Sequence, residues 1–258
     1  MKKKNNFFFS FFNIKRTILE KNQENNNFEL FFEEHFEEIR QRLIQSFSII
    51  CIFTIIAFLN VNSIVKVLQK PVSTLKFFQL SPGEYFISTI ETSLFVGLLI
   101  CSPIFFNQLI FFLFPGLNEK EKIIVPFLTI SSILLFFIGL TFSYFILIPI
   151  TLGFFINYGK DSIEPLLSYN EYISFIGVMF FGTGVLFQIP IIQILICLLN
   201  LVSGQKMLEG WKYIIIVSTI ISAIFTPSAD PLTQLLLASV LVFLYLGGAF
   251  VSIFLKPI

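Results

Sequence analysis

After Leu43 the chain is apolar almost without relief, broken only by short polar connectors into segments close to twenty residues long. A segment of that length crosses the roughly 30 Å hydrocarbon core of a bilayer as a helix, and in lipid the helix satisfies its own backbone hydrogen bonds. Six such spans are expected: Leu43 to Leu59, Tyr85 to Phe114, Ile123 to Ile150, Tyr172 to Leu199, Trp211 to Thr226 and Leu232 to Leu255. The fold class is therefore all-α, a polytopic membrane protein of six transmembrane helices. Only 13% of the 258 residues are charged, about half the share in soluble domains. An even count of spans puts both termini on one side.

Charge chooses the side. With both termini inside, the interior face receives thirteen of the seventeen Lys and Arg residues, and the exterior face receives Lys66, Lys70, Lys76 and Lys160. The positive-inside rule then gives N-in, C-in. Residues 34–258 form a single membrane domain. Residues 1–33 read as an uncleaved, mostly disordered polar tail. Lys2, Lys3, Lys4 and the run Phe7 to Phe12 imitate a signal peptide, but an Asn-rich tract follows and no small-x-small cleavage site does. The frequent Phe, Ile, Asn and Lys suggest an AT-rich genome.

Span lengths carry further expectations. The second span extends about 45 Å as a helix, longer than the hydrocarbon core, with Pro103 as a cause for a kink. The last two spans are short. Only about thirteen apolar-compatible residues separate Lys212 from Pro227, near the length of a re-entrant segment. With the tight "TPSADP" turn, the pair reads as a short helical hairpin that thins the bilayer locally. In the first exterior loop, Val61, Ile64, Val65 and Leu68 recur at helical spacing. This loop is either an amphipathic helix lying on the membrane surface or an ordinary connector.

Several function classes are excluded or left unsupported. A net charge of +1 gives no sign of nucleic-acid binding, and none is expected. Gly182 and Gly184 in "FFGTGVLFQ" lack the Lys-Ser/Thr that completes a phosphate-binding loop. No HExxH or GxSxG motif supports catalysis. Cys51, Cys101 and Cys197 lie far apart in apolar runs and read as small buried hydrophobes. No cofactor or metal is expected.

Polar groups inside spans are costly, so each needs a reason. Gln188 and Gln193 in the fourth span either join helices through amide hydrogen bonds or line a cavity. Glu91 enters the second span from its exterior rim, and Asn107 and Gln108 lie near the other end. On the interior side, Glu38 in "HFEEIRQRL" precedes the first span, and Glu119 and Glu121 lie in "PGLNEKEK". Two carboxylates facing water suit a ligand with paired guanidiniums. Equally, they can be solvated loop charges paired with Arg40, Arg42, Lys120 and Lys122.

"HFEEIRQRL" resembles the His-x-x-Glu-Leu-Arg-x-Arg-Leu opening of the TatC family, the multispan subunit of the twin-arginine protein translocase. "SPGEYF", "FFLFPGLNEKEK", "GLTFSYF", "GVLFQIP" and "TPSADPLTQ" follow in the family's order, so the likeness runs from His35 to the C-terminus. It implies a receptor that binds twin-arginine signal peptides and exports folded passenger proteins on the proton-motive force. Partners would be single-span Tat subunits of TatA/TatB type, in a hetero-oligomeric complex holding several copies of this chain.

By motif match, Glu38 and Glu121 would receive the arginine pair, with Arg40, Phe112 and Pro115 shaping the site. Pro71 matches a functional position of the exterior loop. Thr226 and Gln234 match positions where a partner helix docks, and Asp230 the acidic residue of the turn. Gln188 stands where some members carry glutamate, which leaves a hydrogen-bonding role but no ionised group. His35 would cap or pack. The wording resembles cyanobacterial and plastid members, which implies the plastid thylakoid membrane, with a bacterial or mitochondrial inner membrane as alternatives. The rival reading is a proton- or ion-coupled small-solute transporter using Glu91 and Gln188 at the midplane, although no internal repeat supports it.

Overall fold

The computed structural model describes residues 36–72, 77–79, 81–158, 167–226 and 230–255. His35 and the N-terminal tail lie outside them, as do residues 227–229 of the hairpin turn. The chain divides into two compact units, Met1–Phe47 and Ser48–Ile258. Among the described residues, five helices are long and apolar enough to cross a membrane: Phe36–Leu59, Glu84–Leu113, Val125–Tyr158, Tyr169–Leu198 and Pro231–Leu255. A sixth, Trp211–Phe225, is apolar but has only 15 residues.

Numbered along the chain, α1 is Phe36–Leu59. The first loop holds α2 (Val61–Gln69), and α3 is Glu84–Leu113. A single turn, α4 (Glu119–Lys122), leads to α5 (Val125–Phe142), a π turn over Ser143–Leu147 and α6 (Ile148–Tyr158). The next span is broken into α7 (Tyr169–Leu186) and α8 (Ile189–Leu198). Last come α9 (Gly204–Glu209), α10 (Trp211–Phe225) and α11 (Pro231–Leu255). Two short strands, β1 (Phe77–Phe78) and β2 (Leu167–Ser168), pair in parallel.

Prolines explain where the spans deviate from ideal helices. Pro103 lies inside α3 and has no N–H for the carbonyl of Leu99 four residues back. The Ser102 hydroxyl donates to that carbonyl at 2.8 Å, so the helix runs on. Pro149 follows the π turn, whose wider ring spares the carbonyl four residues before it from the proline ring. Pro190 stands in the first turn of α8, just after the break at Phe187 and Gln188.

The α7–α8 span is the most buried and forms the spine of the bundle. It packs against α3 and α5, while α8 lies along α11. Toward the α2 end, Val65, Ile148, Tyr172, Ile173 and Ile176 share one core cluster. Toward the α9 end, Ile110, Leu128, Ile191 and Leu195 share another. With no hydrophobic force between helices in lipid, close approach of small residues matters. A Cβ at Gly184 would lie 2.5 Å from Phe136, and one at Gly182 2.6 Å from Phe225. The two glycines of "FFGTGVLFQ" are therefore seats for aromatic rings.

Three expectations need correcting. The last span is not short, because α11 has 25 residues, enough for about 37 Å. The amphipathic helix of the first loop exists as α2, yet its apolar side faces protein: Val65 is buried, and Val61 and Leu68 pack on the same cluster. Cys51 is exposed on α1, whereas Cys101 and Cys197 are buried. A small apolar thiol sits as comfortably against lipid as in a core.

Candidate functional site

In the first unit, the opening of α1 is a ladder of ion pairs. Arg40 meets Glu37 at 2.6 Å, and Arg42 places both Nε (3.1 Å) and Nη2 (2.6 Å) on one oxygen of Glu38. Glu before Arg at this spacing, in the first turn of a helix, agrees with the helix dipole. Partly exposed pairs of this kind contribute only about 0.3–0.5 kcal/mol each. Glu38 is thus a carboxylate whose guanidinium partner is held weakly.

In the second unit, Glu121 lies on the connection after α3. Its carboxylate accepts the Asn118 N–H at 2.8 Å, which caps α4. Glu119 pairs instead with Lys122 at 2.6 Å and stays largely in the open. Phe112 is half-buried in the last turn of α3, and Pro115 occupies the 3-10 turn Phe114–Gly116. The Lys122 ammonium lies 5.4 Å from the centre of the Phe114 ring. Glu121, Phe112 and Pro115 therefore belong to one end of the bundle.

Thr226, Asp230 and Gln234 gather at the tip of the α10–α11 hairpin, the other end. Thr226 is buried, and its hydroxyl donates to the Ser222 carbonyl at 2.9 Å. The buried carboxylate of Asp230 accepts the Thr233 N–H at 2.9 Å and the Thr233 hydroxyl, an N-cap for α11. The Thr233 hydroxyl also meets that of Thr151 on α6 at 3.0 Å. Gln234 donates to the Thr219 carbonyl at 3.3 Å, tying the two helices of the hairpin. Thr226 and Asp230 hence shape the tip from within, while Leu232 and Leu235 are exposed beside them.

Gln188 is buried at the break between α7 and α8. Its Oε1 accepts the Ser132 hydroxyl at 2.6 Å, and its Nε2 donates to the Ser132 carbonyl at 3.1 Å. Of the two roles expected for it, joining helices is the one observed. Gln193 is also buried, and among the described residues neither amide atom makes a hydrogen bond of ordinary geometry. Glu91 accepts the Ser174 hydroxyl at 2.7 Å, linking α3 to α7. Ser174 and Gln188 are about 20 Å apart along the α7 axis, so Glu91 and Gln188 do not meet as one midplane site.

Sequence reasoning passed over Glu84, though it lies in the quoted "SPGEYF". This carboxylate, buried at the start of α3, accepts the Ser168 hydroxyl, the Asn170 N–H at 3.4 Å and the Ser81 N–H at 3.3 Å. It fastens the first turn of α3 to the first turn of α7. Its signal was an acidic residue just after a Pro-Gly turn and just before an apolar run. Pro71 sits in the 3-10 turn Lys70–Val72 that closes α2. Among the described residues, no cluster of three or more potential metal ligands occurs.

A bundle of long apolar helices, stitched by isolated buried polar pairs, defines a multi-pass membrane protein. The family described as "Sec-independent protein translocase protein (TatC)" matches residues 34–239, and the chain belongs to it. The tatC-like protein ycf43 of Trieres chinensis is 52% identical, over 95% of this chain and 90% of that one. The Sec-independent protein translocase protein TatC of a Synechocystis strain is 41% identical, over 83% and 85%. The chloroplastic TATC of Pisum sativum is 43% identical, over 84% of this chain and 62% of that one.

A solved structure of the twin-arginine translocase receptor TatC superposes with a TM-score of 0.73 at 32% identity, covering 84% of this chain and 97% of that chain. The chain is a component of a Sec-independent protein translocase and a plastid multi-pass membrane protein.

Proposed function

We propose that this chain is the receptor subunit of a twin-arginine translocase, capturing signal peptides at its interior face and acting from the thylakoid membrane. The observation that carries the reading is the Glu38 carboxylate, which already holds a guanidinium through two N–H groups on one oxygen. A second arginine can replace Arg42 at little cost, because the internal pair is partly exposed and weak. That Glu121 serves the same arginine pair rests on the motif match, Glu38 in "HFEEIRQRL" and Glu121 in "PGLNEKEK". Arg40, Phe112 and Pro115 then border the signal peptide.

The remaining roles follow the same reading. Single-span TatA/TatB-type subunits dock on the α10–α11 hairpin, whose tip is shaped by Thr226, Asp230 and Gln234. Several copies assemble into the working complex, and the proton-motive force drives the passage of a folded passenger.

The decisive experiment crosslinks a twin-arginine signal peptide to the full-length chain in its membrane. The Glu121→Lys variant should insert and accumulate normally and lose the crosslink. A normal crosslink in that variant would remove Glu121 from the site. Collapsing the proton gradient should stop passenger export in the parent chain, and export that survives would sink the energetic half of the reading. Co-purified single-span proteins identify the partners.

A further inference from the structure

Pro71 closes α2 and supplies no N–H to the carbonyls behind it. In an α-helical register the N–H at this position would bond to the Val67 carbonyl, and in a 3-10 register to that of Leu68. Proline has no N–H, so neither bond forms. Each carbonyl receives a tyrosine hydroxyl from the bundle, that of Val67 in addition to the Lys70 N–H. Tyr144, in the π turn after α5, donates to Val67 at 2.9 Å. Tyr172, in the first turn of α7, donates to Leu68 at 2.6 Å. Both rings are held: Phe77 lies 4.9 Å from Tyr172, and Tyr144 stacks on Phe180 at 6.3 Å.

We propose that Tyr144 and Tyr172 are positioning residues that act with Pro71 as one clasp, holding α2 and its terminal turn on the bundle in the geometry that transport requires. The functional half rests on the translocase reading above; the clasp itself stands on the hydrogen bonds. Phenylalanine would fill the same space and donate nothing, which isolates the hydroxyl. The specific claim is coupling. Replacing Pro71 with alanine restores an N–H that can serve Leu68, which makes the Tyr172 hydroxyl redundant. Tyrosines that merely fill space would be equally sensitive with either residue at position 71.

The test uses the full-length chain in its membrane, with Cys51→Ser and Val65→Cys as the common parent. Val65 is 6% exposed, on the buried face of α2, so a thiol there meets a maleimide only when α2 lifts. Tyr172→Phe should raise the labelling rate about fivefold or more, since it takes the tyrosine donor from the Leu68 carbonyl, and Tyr144→Phe should raise it less, since Val67 keeps the Lys70 N–H. Both should lower transport of a folded passenger while signal-peptide crosslinking stays within about twofold of the parent. In the Pro71→Ala background, Tyr172→Phe should raise labelling less than about twofold.

Unchanged labelling in Tyr172→Phe, or the same increase in both backgrounds, overturns the clasp. Undiminished transport by the Tyr144→Phe, Tyr172→Phe double variant overturns its role in transport. If labelling follows the expected pattern while the parent carries no passenger, the clasp stands and the translocase reading falls.

Discussion

Gln188 uses both ends of its amide on a single residue of another helix, and that makes its contribution measurable. Leucine at this position keeps the volume but strands the Ser132 hydroxyl, whose present partner is the Gln188 carbonyl oxygen. Gln188→Leu should therefore lower stability by about 1–3 kcal/mol, read as a lower unfolding midpoint of the purified full-length chain. Ser132→Ala should cost a similar amount, and the double variant clearly less than the two together, because the amide and hydroxyl belong to one interaction. Additive losses would mean that the two side chains act independently. A helix-joining role for Gln188 was legible because a buried amide in a span must bond to something. The partner was not legible, since Ser132 is one of many serines in apolar runs and nothing local sets it apart. Glu84 illustrates the same limit: its charge and place at a helix start are visible in the sequence, but Ser168 and Asn170 reach it only through the fold.

Whole helices are more predictable than their contacts, because hydropathy reports burial in lipid or protein without naming the neighbour. Five of the expected spans coincide with long helices to within a few residues at most ends. The third runs past Ile150 to Tyr158, because Pro149 is accommodated by a π turn instead of ending the helix. The glycines carry the interhelical detail, and two of them make opposite predictions. Gly184→Ala places a methyl 2.5 Å from the ring of Phe136, which has no exposed surface through which to move. Overpacking of this kind should destabilise by about 1–3 kcal/mol. Gly153 lies in α6, and a methyl group added there would meet nothing within 4 Å. Gly153→Ala should therefore be neutral or stabilise by up to about 1 kcal/mol through helix propensity alone. Parallel thermal unfolding of the two variants in one detergent checks the contrast. If Gly184→Ala proved as harmless as Gly153→Ala, the α5–α7 packing would need revision.

For the molecule as a whole, the open question is parity, and α10 decides it. Its 15 residues extend only about 22 Å, short of the roughly 30 Å hydrocarbon core. If α10 enters and returns on one side, five crossings put the termini on opposite faces; if it crosses, six put them on the same face. The packing favours crossing. Gln234 near the start of α11 bonds to Thr219 of α10, and the Tyr245 hydroxyl farther along α11 donates to the Met207 carbonyl of α9 at 3.1 Å. Gly204 of α9 packs against Ile253, near the end of α11. Together α9 and α10 therefore accompany α11 along nearly its whole length, and α11 is long enough to span. The charge asymmetry asks for the same arrangement, with Lys206 and Lys212 inside. A crossing α10 would need a local thinning of the bilayer to match its length. Cysteines placed at Lys206, exposed on α9, and at Leu232, exposed at the start of α11, should react with a membrane-impermeant maleimide from opposite sides of sealed vesicles. Labelling of both from the same side would make α10 re-entrant and leave the chain with five crossings.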